Sequence, residues 1–391
     1  MKQKSIAVMF GGPSAEHEIS IITALQAITA MDTLQYKVIP VYIHPTGKWY
    51  TGEALLTKSI YSTFQEHLPK LQEVTLLPDP NLQGLIRIDK KQFSPKSIIP
   101  IDVYFLAFHG QYGEDGCVQG LLEMANAAYT GCGVASSAVT MNKYLTKTVL
   151  QSHGIPVLPS VTVSRVEAQK DLNAVHEKIS QIEGLKKFPL FVKPVHLGSS
   201  IAISRADDRA SLNAAIAKVF RYDNQAIIEP CITDLLEINI AVLHGHPPIA
   251  SVVEIPVSSS GALTYEDKYL RGGNKSSGPS SGMASLTRII DPQDIDRKLK
   301  QQVTDYAINA YTILGCRGVS RLDFIVDKAS GALYFNELNS IPGSLAFYLW
   351  EKSDPRLLYT QVIDRMIAQA IERKAEQLCV QRDLGFKALR G

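Results

Sequence analysis

Residues 318–343 read G-V-S-R-L-D-F-I-V-D-K-A-S-G-A-L-Y-F-N-E-L-N-S-I-P-G, and their pattern decides what the chain is built around. Stretches 318–326 and 333–338 are strand-like, and the polar link 327–331 between them makes a hairpin. Side chains alternate along a strand, so Arg321 and Asp323 share one face, and Glu337 and Asn339 share a face of the partner. A turn centred near Ser330 sets Asp323 opposite Glu337 and Arg321 opposite Asn339. Two carboxylates, an amide oxygen and a guanidinium then converge. Hard oxygen ligands beside a cation suit Mg²⁺ bridging nucleotide phosphates. A solvated hairpin face with cross-strand ion pairs fits these residues equally well. Beyond Asn339 the chain breaks at Pro342-Gly343 and runs on almost without polar side chains to Trp350.

A second polar feature lies upstream. In F-V-K-P-V-H-L-G-S-S (191–200) an apolar strand ends on Lys193 and enters a Gly-Ser-Ser loop. Backbone N–H groups of such a loop can wrap phosphate oxygens, and the lysine supplies a point charge. The loop is not a Walker A sequence, which requires G-x-x-x-x-G-K-[ST]. T-G-C-G-V-A-S (130–136) fails the dinucleotide fingerprint at its third glycine, and A-E-H-E-I-S (15–20) contains no H-E-x-x-H zinc signature.

Outward from these motifs the chain divides into three units. The apolar run 6–10 stops at Gly11-Gly12, as a buried parallel strand does on entering a loop. A helix over 18–31, a strand over 36–43, an irregular polar insert and a third apolar run over 103–108 follow. This order predicts an α/β N-terminal domain, 1–130, with ligands at the carboxyl edge. A central unit, 131–228, opens on a helix over 142–152 stopped by Gly154-Ile155-Pro156. Strands over 188–193 and 201–204 belong to it. The third unit, 229–391, holds β alternation through 255, a Gly/Ser-rich stretch 271–283 expected as a mobile loop, a helix over 291–314 and the hairpin.

The composition narrows the function classes. At 391 residues the chain suits two or three domains. A formal net charge of +2, with no basic run or stripe, argues against nucleic acid as a partner. Cys117, Cys132, Cys231, Cys316 and Cys379 are scattered without a C-x-x-C pair. Neither a disulfide framework nor a cysteine zinc site is expected, and a reducing cytoplasm fits. The first apolar run is too short for a signal-peptide core, and no run approaches transmembrane length, so no membrane partner is expected.

Six blocks in order resemble the D-alanine–D-alanine ligase branch of the ATP-grasp enzymes. They are F-G-G-P-S-A-E-H-E-I-S (10–20), F-H-G-Q-Y-G-E-D-G (108–116), F-V-K-P-V-H-L-G-S-S (191–200), Y-E-D-K-Y (265–269), G-C-R-G-V-S-R-L-D (315–323) and N-E-L-N-S-I-P-G (336–343). The resemblance covers nearly the whole chain. It implies a three-domain ATP-grasp fold, α/β with α+β elements, whose N-terminal domain is Rossmann-like.

By the same resemblance, ATP lies between the second and third units. Lys143, Lys193 and Lys268 match lysines that contact phosphates, within a phosphate loop that includes Ser199 and Ser200. Glu229, Pro230, Cys231 and Ile232 match the hinge at the adenine edge, and Glu237 the acceptor of the ribose hydroxyls. Asp323, Glu337 and Asn339 match the ligands of two Mg²⁺ ions, or Mn²⁺. Glu16, Ser199 and Tyr269 match a trio that orients the first D-amino acid. Arg321 and the Gly343 N–H match an oxyanion-stabilising pair, and a homodimer is implied. His17, His109, Ser344 and Tyr348 are further candidates for the substrate lining. The sequence departs from the family at 344–348, where Tyr348 stands about where a serine that helps hold the second substrate's carboxylate is expected. A D-alanine–D-alanine ligase is therefore the leading expectation. A ligase for D-serine or another acceptor, and a non-catalytic ATP-binding protein, are the alternatives.

Overall fold

The run of apolar residues that begins the chain forms β1 (Lys4–Gly11), buried from Ile6 onward. The chain turns at Gly11-Gly12 into a helix, His17–Ala30, and returns as β2 (Tyr36–Ile43), parallel to β1. That helix buries two hydroxyls, and both have partners. The Ser20 hydroxyl accepts from the Gly11 N–H and donates to the Ala107 carbonyl, at 2.8 Å each. A burial of this kind costs little once both groups are bonded.

The computed structural model describes residues 3–88, 97–198, 201–257 and 288–380. The stretch 44–102, expected as an irregular insert, instead widens the first sheet. It adds β3 (Trp49–Thr51), β4 (Gln72–Thr75), β5 (Gly84–Arg87) and β6 (Ile98–Pro100), each antiparallel to its neighbour. These strands are three or four residues long, too short for alternation to stand out against their polar flanks. With β7 (Val103–Leu106) the order is β6-β5-β4-β3-β2-β1-β7, and the parallel strands β2, β1 and β7 stand together at one end.

The second sheet contains β8 (Val161–Ser164), β9 (Leu190–Pro194), β10 (Ser204–Ala206) and β11 (Gln225–Pro230), ordered β10-β9-β11-β8. Expected over 201–204, β10 starts at Ser204, because residues 201–203 turn first and Ala202 has φ 57°. The helix Lys143–Ser152 is capped by Asn142, whose side chain accepts the Leu145 N–H.

The third sheet, ordered β14-β13-β12-β15-β16, is antiparallel throughout. Its strands are β12 (Leu235–Leu243), β13 (Ile249–Pro256), β14 (Arg288–Ile290), β15 (Val319–Asp327) and β16 (Leu333–Asn339). The helix expected from 291 begins at Arg297 instead, because Asp296 caps it and Asp291 takes φ 50° outside it. The stretch 271–283 lies outside the described residues.

The apolar run after Pro342 is explained by packing. Ile341, Leu345, Ala346, Leu349 and Trp350 join the core of the first sheet, as do Val362, Ile363 and Met366 of the helix Tyr359–Leu378. The end of the chain thus seals the core that its beginning opened, and each fully buried large side chain contributes about 1.5–3 kcal/mol.

Candidate active site

Register is the first fact of the site. In β15 and β16, Arg321 pairs with Asn339 and Asp323 with Glu337, as the hairpin reading required. One strand further in, Asn239 pairs with Asp323 on one side and Glu254 on the other. A polar row Glu254–Asn239–Asp323–Glu337 therefore crosses four strands on one face of the third sheet. Between Asp323 and Phe324 the ladder shifts, because Phe324 pairs with Phe335 and leaves Asn336 as an extra residue.

The row opens into a cleft lined from all three sheets. Glu16, His109 and Glu114 come from the first, Lys143 and Gly198 from the elements of the second, and Arg321, Asn336, Glu337, Asn339 and Gly343 from the third. Arg321 donates to Asp323 through Nε (2.7 Å to Oδ1) and Nη2 (2.8 Å to Oδ2). Burial works against the guanidinium, but Asp323 outweighs it and holds the Arg321 pKa well above its usual value. Asn339 donates to Asp323 through Nδ2 at 3.2 Å, which turns its amide oxygen, an acceptor, away from Asp323. Lys143 Nζ reaches the Leu197 carbonyl and lies 3.8 Å from Glu337 Oε2.

Glu16 is 6% exposed, and its carboxylate sits between two glycines. At Gly110, φ is +80°, and a Cβ there would come within 2.9 Å of Glu16 Oε2 and 2.3 Å of Ser14 Oγ. At Gly198 a Cβ would stand 3.3 Å from both carboxylate oxygens. At Gly110 a side chain would be strained and would collide with Ser14, while at Gly198 it would press on the acid.

Behind the cleft wall, Lys193 donates to Asn336 Oδ1 at 3.0 Å and pairs with Glu229 Oε2 at 2.8 Å. Lys147 holds the other oxygen of Glu229. Burial would raise the Glu229 pKa, but the two lysines prevail and keep it at about 2. Pro230, Cys231 and Ile232 follow at the end of β11, and Glu237 stands in β12, half-buried. Ser199, Ser200, Lys268 and Tyr269 lie outside the described residues.

The remaining candidates separate. His109 lines the cleft. Burial, with Arg321 nearby, lowers its pKa to about 3, so it is neutral. The Ser344 N–H donates to Thr23 Oγ1 at 3.2 Å, and Oγ1 lies 2.8 Å from His109 Nε2. His17, Ser344 and Tyr348 are not among the described lining residues. His17 bonds Gly12 O and Tyr42 Oη. Tyr348 donates to Glu254 Oε1 at 3.2 Å, and the Arg288 guanidinium stacks 4.0 Å over its ring while bonding Glu254 Oε2 at 2.7 Å.

Four contributors escaped the reading of the sequence. Glu114 accepts from the N–H groups of Gly110 and Ile341 and from the Ser340 hydroxyl, tying the first sheet to the loop before Gly343. Burial and the charge of Glu16 push its pKa up to about 8. Its place inside H-G-Q-Y-G-E-D-G was the available signal. Lys147 is one helical turn after Lys143, a spacing visible in the sequence. Asn336 gains its position from the bulge, and Arg288 gains its partner through β14. Neither was legible without strand pairing.

Among the described residues no three His, Cys, Asp or Glu side chains gather as a metal cage. Two carboxylates and an amide oxygen do converge on one sheet face. That set fits Mg²⁺, which retains waters and binds through one or two carboxylates plus phosphates.

Comparison with known proteins places the chain. Models of the D-ala D-ala ligase N-terminus and C-terminus match residues 5–132 and 149–368. The D-alanine–D-alanine ligase of Chloroherpeton thalassium is 35% identical over 382 residues, 96% of this chain and 99% of that protein. That of Thermosipho africanus is 34% identical, across 94% of this chain and 93% of that protein. Among solved structures, the D-alanine–D-alanine ligase from Coxiella burnetii superposes with a TM-score of 0.77 at 31% identity, covering 97% of each chain. The VanG D-Ala:D-Ser ligase from Enterococcus faecalis gives 0.74 at 29%, covering 94% of this chain and all of that one. The fold is the α/β ATP-grasp architecture of these ligases. The chain belongs to the D-alanine–D-alanine ligase family.

Proposed function

We propose that this chain joins two D-alanine molecules into D-alanyl-D-alanine, driven by ATP, as a step in building peptidoglycan precursors. The observation that carries the reading is the convergence of Glu16, Lys143, Arg321, Glu337, Asn339 and Gly343 in one cleft, over a family match along nearly the whole chain.

The chemistry follows from charge. A carboxylate is a poor acylating agent because oxide is a poor leaving group. Transfer of the γ-phosphoryl group to the first D-alanine carboxylate gives an acyl phosphate and ADP. Lys143 and Lys193, with Lys268, offset the repulsion between the two anions, a matter of positioning and electrostatics. Asp323, Glu337 and Asn339 would hold Mg²⁺, which would supply positive charge against the phosphates. Glu16 receives the ammonium group of the first substrate. The neutral amine of the second D-alanine attacks the acyl carbon, the bond from that carbon to the phosphate oxygen breaks, and the amine's proton departs with the phosphate as hydrogen phosphate. Arg321 and the Gly343 N–H face the oxyanion of that step, and Ser199 and Tyr269 complete the first subsite. The adenine edge meets 229–232 and the ribose meets Glu237. The domain limits 1–130, 131–228 and 229–391 belong to the same proposal, as do a homodimer, tested by light scattering, and a cytoplasmic location, supported by five free thiols. No helix of the described residues is long and apolar enough to cross a membrane.

The test is incubation with ATP, Mg²⁺ and D-alanine. ADP and dipeptide appear together if the reading holds. Absence of both by mass spectrometry overturns it. A second reading, with D-serine or another amino acid as acceptor, draws on the Tyr348–Arg288–Glu254 cluster at the acceptor side. Phosphate release across a panel of D- and L-amino acids separates the two.

A further inference from the structure

The group of charges around Glu229 holds one cation more than the carboxylate needs. Lys147, Glu229 and Lys193 are 2%, 1% and 7% exposed, so all three have left water. Each oxygen of Glu229 has its own lysine: Oε1 faces Lys147, and Oε2 faces Lys193 at 2.8 Å. One buried carboxylate is satisfied by one well-placed ammonium, and a second buried cation carries a desolvation cost of its own. The two lysines are placed differently. Lys193 also reaches Asn336, which lines the cleft, whereas Lys147 bonds to Glu229 and feels Glu337 only through its charge. Lys147 projects from the helix Lys143–Ser152 one turn beyond Lys143, whose ammonium does line the cleft.

We propose that Lys147 is a positioning residue for nucleotide binding: it neutralises Glu229 from behind, so that Lys193 can turn from Glu229 to an anionic phosphate in the cleft. Without Lys147, Lys193 is the sole counter-ion of a buried carboxylate. Turning to a phosphate would then strand that carboxylate, at a cost set against binding. With Lys147 present, the pair Lys147–Glu229 stays neutral and Lys193 becomes the spare cation. The inference rests on the ATP part of the function proposed above.

The experiment measures binding of a non-hydrolysable β,γ-imido analogue of ATP by calorimetry, beside steady-state kinetics. Lys147→Met should weaken analogue binding and raise the ATP KM by about tenfold or more, with the D-alanine KM moved less than about threefold. Lys147→Arg, which keeps the charge, should restore binding to within about threefold of wild type. Unchanged analogue affinity in Lys147→Met, or equal increases in both KM values, overturns the proposal. A second comparison holds even if that single variant does not fold. Once Glu229→Gln has removed the charge, Lys147 should no longer matter, so Glu229→Gln and Lys147→Met/Glu229→Gln should bind the analogue alike. A further loss of about tenfold in the double variant would mean that Lys147 acts on the ligand by another route, and would sink the idea. Wild-type protein that binds the analogue yet forms no dipeptide refutes the ligase reading and leaves this one standing. Failure of the wild type to bind the analogue at all refutes both.

Discussion

Arg321 and Asp323, two residues apart on β15, face the same way and bond to each other through both carboxylate oxygens, at 2.7 and 2.8 Å. Only 6% and 1% exposed, they form an ion pair that is largely out of water. Such a pair is hard to break from one side, because the surviving charge is stranded. Oδ2 also accepts from Asn339 Nδ2, so Asp323 gathers the guanidinium and the amide on one carboxylate.

Asp323→Asn should therefore lose on two counts. Stability should fall by about 3–5 kcal/mol, as buried Arg321 is left unpaired. Glu337→Gln leaves that pair intact, so its Tm should move little while kcat drops by about 100-fold. Thermal melts beside a Mg²⁺ titration of ADP release separate the two variants. Near-normal kcat in Glu337→Gln would refute the metal role.

Two buried groups tilt stability with pH in opposite directions. Glu114 titrates near 4.5 when unfolded and at about 8 in the folded chain. Its contribution is complete below pH 4.5 and is lost as pH rises through 8. His109 titrates near 6.5 unfolded and at about 3 folded, so its contribution is present above 6.5 and lost as pH falls toward 3. Urea unfolding of wild type should therefore show a Glu114-dependent decline from pH 5 to pH 8, of up to a few kcal/mol. Glu114→Gln, which cannot ionise, should flatten it. Parallel slopes in the two proteins would mean that Glu114 is ionised at neutral pH.

Tyr348 offers a test of the acceptor side. Tyr348→Phe keeps the ring under Arg288 and removes the hydroxyl's bonds to Glu254 and Arg288, a loss of about 1 kcal/mol for each. Tyr348→Ser also removes the ring. It should raise the acceptor KM more than the ATP KM, because the cluster adjoins the row that carries Asp323 and not the lysines. Equal effects on both constants would reduce Tyr348 to packing.

Ser344, Leu345 and Ala346 have φ values of 54°, 52° and 49°, three left-handed residues in succession. Each costs about 1–2 kcal/mol unless it is glycine. At Ala346 the relief of that cost by Gly should roughly cancel the lost methyl and the looser unfolded chain, leaving stability within about 1 kcal/mol. Ala346→Val should destabilise by more than about 2 kcal/mol, since branching at Cβ aggravates the clash. Chemical denaturation of the two variants decides. A tolerated valine would mean that the turn is not left-handed.

Where local pattern and pairing coincide, the sequence was legible. Alternation through 318–339 placed Arg321 opposite Asn339 and Asp323 opposite Glu337, because an antiparallel hairpin needs only its turn to set register. The strands between β2 and β7 were not readable, since three or four residues carry too little periodicity. Lys147 and Arg288 stayed hidden for another reason. Each gains its meaning from a partner far along the chain, Glu229 and Glu254 respectively, and no local pattern points across such a span. The apolar run 344–350 showed its polarity but not its destination in the first sheet's core.

The extra residue at Asn336 divides the hairpin into two independent halves. Toward Arg321 and Asn339 the pairing is locked by the cleft, while toward the tip, from Phe324 and Phe335 outward, it follows a different frame. Length changes at the exposed tip, 328–331, can be absorbed on their own side of that joint. The tip is thus the place on this sheet where a fluorophore or a purification peptide could be grafted, with its motion stopped before it reaches the chemistry.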